Sequence, residues 1–160
     1  MMKRLNGWER PSSANSPFNL KCRVDFNVDL SGTPDLVNST SSEVDELWSS
    51  IREAWLFEDI DYGQWGLHIL SPSDSAARSA AERAGRPEDF RDDDQVIGEF
   101  LGDSDLLVYS PSESGPKRIS VALPLDEREE WYELGSFIYD VLKRMASVDG
   151  AKYWEMNPDA

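Results

Sequence analysis

Residues 95–123 constrain the fold more than any other stretch, because they read as two strands joined by a tight turn, then a polar loop and a third strand. In Gln95-Val96-Ile97-Gly98-Glu99-Phe100-Leu101, the residues Val96, Gly98 and Phe100 fall on one side and Ile97, Glu99 and Leu101 on the other, the two-residue period of a strand. Gly102-Asp103-Ser104-Asp105 supplies small and Asx residues that tolerate left-handed geometry and bond their own backbone. The apolar run Leu106-Leu107-Val108-Tyr109 is therefore predicted to fold back antiparallel. After Ser110-Pro111-Ser112-Glu113-Ser114-Gly115-Pro116, the chain alternates again with Ile119, Val121 and Leu123 on one side, and Pro124 stops the strand because it cannot donate to a ladder. The prediction is an antiparallel meander.

A second strand signal lies upstream. From Leu20 through Cys22, Val24, Phe26 and Val28 to Leu30 every even residue is apolar and every odd one polar, the pattern of a half-buried strand. Cys22 falls on the apolar face, which predicts a buried, inert thiol. It is the single cysteine, so no intramolecular disulfide can form, in keeping with a reducing compartment. Basic residues in Met1-Met2-Lys3-Arg4-Leu5-Asn6-Gly7 are not followed by an apolar segment, and no apolar run approaches the ~20 residues of a membrane span, so a soluble cytoplasmic protein is expected.

Helical signals flank the strands. Ser31-Gly32-Thr33-Pro34 reads as a turn, and Thr40, Ser41 and Ser42 offer N-caps for a helix whose stripe is Val44, Leu47, Trp48, Ile51 and Trp55. Asn38-Ser39-Thr40 fits a glycosylation acceptor, but without a secretory signal it reads as a polar linker. Glu58-Asp59-Ile60-Asp61-Tyr62-Gly63 is predicted to be an acidic turn before a short strand from Gln64 to Leu70. Ser71-Pro72-Ser73 starts an alanine-rich helix with a small-residue packing surface that Gly85 stops. The last helix is predicted from Asp126 onward, acidic at its start and basic at Lys143 and Arg144, with Trp131, Leu134, Ile138, Val141, Leu142 and Met145 on one stripe. Lys152-Tyr153-Trp154-Glu155 is expected to dock back on the domain, since free tails seldom carry adjacent Tyr and Trp. The whole is an α+β domain with a mostly antiparallel sheet, one core by size, spanning residues 20–155 between a polar lead-in (1–19) and a tail (156–160).

Charge narrows the partners. With 16 basic and 31 acidic residues the net charge is −15, which repels nucleic acid and anionic membranes and steers in a cationic protein, although acidic surfaces also serve solubility alone. Residues 86–105 hold eight acids against two bases. Neither Asp92-Asp93-Asp94 nor Asp103-x-Asp105 fits a calcium loop, so these read as solvated turns, and no metal or cofactor is expected. His68 is the lone histidine and reads as a hydrogen-bonded structural residue beside Leu67 and Ile69. Ser104 is not in a Gly-x-Ser-x-Gly elbow, Gly115-Pro116-Lys117 lacks a phosphate loop's glycine run, and a pair such as Glu99 and Asp103 is no stronger than chance among so many acids. No enzymatic activity is expected.

Several short motifs occur in a telling order: Gly63-Gln64-Trp65-Gly66-Leu67, the hairpin from Val96 through Gly102-Asp103 to Val108, Val121-Ala122-Leu123-Pro124-Leu125-Asp126, then Ser136-Phe137-Ile138 and Tyr153-Trp154-Glu155. From about Val44 to Glu155 the chain resembles the SUKH superfamily, which contains fungal cell-wall-synthesis regulators and many bacterial immunity proteins. It departs at the start, where the family has a helix with a Leu-Pro step and a second helix ending in Asn-Gly, and here only Met1 to Gly7, ending Asn6-Gly7, matches the tail of the second. The resemblance implies a non-enzymatic domain that binds and neutralises a toxin from a neighbouring cell, often a nuclease; the alternative is a regulatory scaffold of the cell-wall-regulator type. The expected contact surface combines Glu58, Asp59, Asp61, Asp92, Asp93, Asp94, Glu99, Asp103 and Asp105 as an acidic rim, with Trp65 as an exposed aromatic anchor.

Overall fold

The computed structural model describes residues 1–14, 16–27, 43–111 and 117–156. Among these, eight strands form one sheet, β1 (Glu9–Arg10), β2 (Leu20–Phe26), β3 (Ile51–Asp59), β4 (Leu67–Ile69), β5 (Gln95–Phe100), β6 (Leu106–Ser110), β7 (Arg118–Ala122) and β8 (Tyr132–Gly135). Each strand pairs antiparallel with the next in sequence, so the predicted β5-β6-β7 meander extends to the whole sheet. Four helices accompany it: α1 (Met2–Leu5), α2 (Glu43–Ser50), α3 (Pro72–Gly85) and α4 (Ile138–Ser147). The architecture is α+β, as expected. None of the described helices is long and apolar enough to cross a membrane. The readings of Val28 to Leu30, the Ser31-Gly32-Thr33-Pro34 turn, Asn38-Ser39-Thr40, the caps at 40–42 and the loop 112–116 lie outside the described residues.

One core is expected by size, but alternation along the strands sends side chains to two, one on each face of the sheet. Leu107 and Tyr109 of β6 point to the larger one, built from β2 to β7 together with Met2 and Leu5 of α1, Val44 and Leu47 of α2, and Ile138, Val141, Leu142 and Met145 of α4. Leu106 and Val108 point to the smaller one, with Leu70, Phe90, Val96, Ala122 and Trp131. The first residues, expected as part of a polar lead-in, thus enter the core through α1 and the sheet through β1. Cys22 is fully buried, and burial pushes its thiol up to about 11, partly offset by a hydrogen bond from Phe57 N at 3.2 Å.

The strand β5 is not the uniform alternation its sequence suggests. A register shift between Val96 and Gly98 opposite β6 puts Val96 in the smaller core and both Ile97 and Phe100 in the larger one. Helix α3 serves this bulge. Ser75 Oγ donates to Val96 O at 2.6 Å, Ser79 Oγ accepts from Val96 N at 2.8 Å, and Ser71 caps the helix by accepting from Asp74 N. The small-residue surface of α3 lets it come close enough for seryl hydroxyls to complete a strand whose ladder is interrupted.

Two helix assignments are overturned. The helix predicted from Val44 to Trp55 ends at Ser50, and Ile51 to Asp59 is β3. Trp48 packs on the larger core and donates Nε1 to Leu70 O at 2.9 Å, whereas Trp55 lies on the opposite sheet face, stacked on His68. The helix predicted from Asp126 begins only at Ile138; residues 128–130 form a 3-10 turn and Tyr132–Gly135 is β8. Trp131 goes to the smaller core against Phe90 at 5.0 Å, and Leu134 to the larger one. Spacings of three and four residues suit a helix, and they suit equally a strand such as β3 that packs on both faces, whereas β8 is exposed at Tyr132 and Glu133. Here the neighbouring strands β2, β4 and β7 supply ladder partners, and the strand wins.

Candidate interaction surface

The predicted rim residues divide between the two ends of the sheet. Asp92, Asp93 and Asp94 precede β5, whereas Asp103 and Asp105 follow it; the latter adjoin Glu58, Asp59, Asp61 and Trp65 because Leu101 N donates to Gly66 O at 2.9 Å. Gly102 makes that approach: its φ is +101°, and a Cβ there would lie 2.2 Å from Gln64 O.

Several of these acids are structural rather than exposed. Asp59 is buried and accepts from the backbone N–H groups of Asp61, Tyr62 and Gln64 at 3.1–3.3 Å, so its carboxylate closes the turn. Asp94 is buried and accepts from both terminal nitrogens of Arg128 (2.5 and 3.2 Å), from Ser110 Oγ (2.7 Å) and from Arg91 N (2.8 Å). It clamps the segment before β5 and the end of β6 to the 3-10 turn at Arg128. Asp105 is buried and accepts from Lys152 Nζ at 3.0 Å, and Asp103 accepts from the same ammonium. Lys152, itself buried, sits 5.3 Å from the Phe100 ring and 5.9 Å from Trp65, and the adjoining 3-10 turn Tyr153–Glu155 sets Trp154 edge-on to Phe100 at 5.3 Å. The C-terminal aromatic segment therefore docks back as expected. Burial lowers the Lys152 pKa, but its bonds to Asp103 and Asp105 outweigh that and hold it above the ordinary lysine value.

Trp65 is half-buried and stacked on Phe18 at 6.3 Å, packed against the core instead of standing free as an anchor. Glu99 is partly buried and held by Arg78 at 3.2 Å. The solvent-facing members of the predicted set are Asp61, Asp92, Asp93 and Asp103, with Glu58 half-buried; Asp61 accepts from Asn19 Nδ2 at 2.6 Å. Beside Asp61, the turn exposes Ile60 and Tyr62, the latter 76% accessible.

Sequence reasoning missed two features. The first is a row across the second sheet face, Arg23, Trp55, His68 and Glu99, set side by side by the β2-β3-β4-β5 registers. Arg23 lies 3.9 Å over the Trp55 ring, Trp55 stacks on His68 at 4.5 Å, and His68 Nε2 is 3.1 Å from Glu53 Oε2. His68 is the hydrogen-bonded residue expected, but its aromatic partner could not be seen while Trp55 was assigned to a helix. The second is the approach to β8, where Glu127, Glu129, Glu130 and Glu133 are exposed next to Leu125 (96% accessible), Tyr132 (37%) and Phe137 (57%). A signal was available in the run Asp126-Glu127-Arg128-Glu129-Glu130, which the helix-dipole argument absorbed.

Among the described residues, no group of three or more His, Cys, Asp or Glu side chains is placed to hold a metal ion. Compared with known proteins, the chain matches no family model, no curated protein and no solved structure.

Proposed function

We propose that this is an immunity-type protein, which binds a basic protein toxin in the cytoplasm and neutralises it by occupying its surface, with no bond made or broken by its own side chains. The observation that carries the reading is how the fold distributes charge. Arg10, Lys21, Arg52, Arg78, Arg86, Arg118, Arg128 and Lys152 are engaged in ion pairs within the chain, those of Arg128 and Lys152 to buried carboxylates. Lys3, Arg4, Arg91, Lys117, Lys143 and Arg144 are exposed away from 60–62 and 127–133 in sequence. The acidic excess is left at the surface, where Asp61 adjoins Ile60 and Tyr62, and the 127–133 glutamates adjoin Leu125, Tyr132 and Phe137. Exposed apolar groups framed by carboxylates are what a cationic protein surface requires, since the charge speeds encounter and the apolar contacts slow release. The resemblance of the motif order to the SUKH superfamily supports the same reading.

The test is co-expression with the product of a toxin-like open reading frame adjacent to the gene. Growth should be rescued, and the association rate of the purified pair should fall about tenfold or more between low and high salt. Turnover of a small molecule by the purified protein, abolished by one point replacement, would overturn the reading.

A further inference from the structure

We propose that the outer edge of β8 docks an extended, lysine- or arginine-rich segment of a partner protein, which joins the sheet as an additional strand. Strand β8 ends the sheet: Tyr132, Glu133 and Gly135 are in register with Val121, Ser120 and Ile119 of β7, and among the described residues no backbone group pairs with its other side. Such an edge is a row of unpaired N–H and C=O groups that templates another strand. At the far side of the sheet, β1 has only two residues and offers little to extend.

Side chains select the occupant. Glu127, Glu129 and Glu130 are exposed on the approach to β8, Glu133 lies on it and Asp140 follows. Arg128, the base among them, is turned inward onto Asp94, and Glu133 keeps only a 3.6 Å contact with Arg118. A second copy of the chain would bring the same carboxylates against themselves, so self-pairing is opposed. A basic strand meets complementary charge, and its apolar residues meet Tyr132 and Phe137. The inference rests on the proposed function for a basic protein as partner, and adds the mode of recognition.

The probe is a capped octapeptide of alternating lysine and valine, titrated into the full chain while backbone amides are followed by NMR. Hydrogen exchange at amides within 132–135 should slow about tenfold or more at saturation. The same peptide N-methylated at alternate residues should bind about tenfold more weakly, because it cannot complete the ladder, and a glutamate-valine octapeptide should not bind. The variant E127Q/E129Q/E130Q/E133Q, with an unchanged exchange pattern elsewhere, should also bind the lysine peptide about tenfold more weakly. Protection confined to another surface, equal binding of the N-methylated peptide, or a dimer formed through this edge would each overturn the proposal. Loss of strand addition with survival intact removes only the docking mode. Strand addition without rescue from the toxin removes only the proposed function.

Discussion

Between residues 92 and 105 the carboxylates of Asp94 and Asp105 are withdrawn from solvent and held by Arg128 and Lys152, whereas between 127 and 133 four glutamates remain at the surface. Both stretches are dense in acids, with six in fourteen residues in the first and four in seven in the second. The difference lies in where the cations come from: Arg128 is 34 residues from Asp94, and Lys152 is 47 from Asp105. An acid can be paired in the fold by a base distant along the chain, and an acid beside a base in the chain, such as Glu127 or Glu129 next to Arg128, can be left exposed. Acidic density in a sequence therefore gives the sign of a surface without locating it. The buried pairs pin segments together, and the exposed groups are available to a partner.

The sharpest way to break this comparison is Asp94→Ala. It leaves the Arg128 guanidinium without its carboxylate and should cost about 3–5 kcal/mol in denaturant unfolding. Asp92→Asn and Asp93→Asn, two residues and one residue away but exposed, should each stay within about 0.5 kcal/mol. Equal costs for all three would mean that the clamp contributes nothing.

Lys152→Ala comes next, at about 3 kcal/mol, because it strands the buried Asp105, and hydrogen exchange over 151–156 should rise together with the loss. This variant also carries the pH dependence. The Lys152 pKa is raised in the folded chain, so the stability it contributes is complete below the ordinary lysine value near 10.4 and is lost as pH climbs through the higher folded value. An alkaline unfolding limb measured on wild type should be flatter in Lys152→Ala.

A smaller effect separates the two carboxylates of the clasp. Asp103, whose side chain is 45% exposed, should lose about 1 kcal/mol or less on replacement by Asn, and Asp105 should lose more. The smallest effect is expected for E127Q/E129Q/E130Q, within about 0.5 kcal/mol of wild type in stability. A large loss there would show that these glutamates support the fold and are not reserved for binding.

What could be read from the residues alone was whatever is decided by neighbours in the chain. The β5-β6-β7 meander, the buried face of β2 with Cys22, the cap and small-residue face of α3, and the docking of the aromatic tail all rest on alternation, turn chemistry or local composition. The acidic sign of the surface follows from the same source. The tertiary structure alone decided that Ile51 to Asp59 and Tyr132 to Gly135 are strands, because a spacing of three and four residues leaves helix and strand both open until a ladder partner is present. It likewise decided that Asp94 and Asp105 are buried: Asp59 is desolvated by donors of its own turn, but these two are met by bases from far along the chain, and no local pattern encodes that arrival.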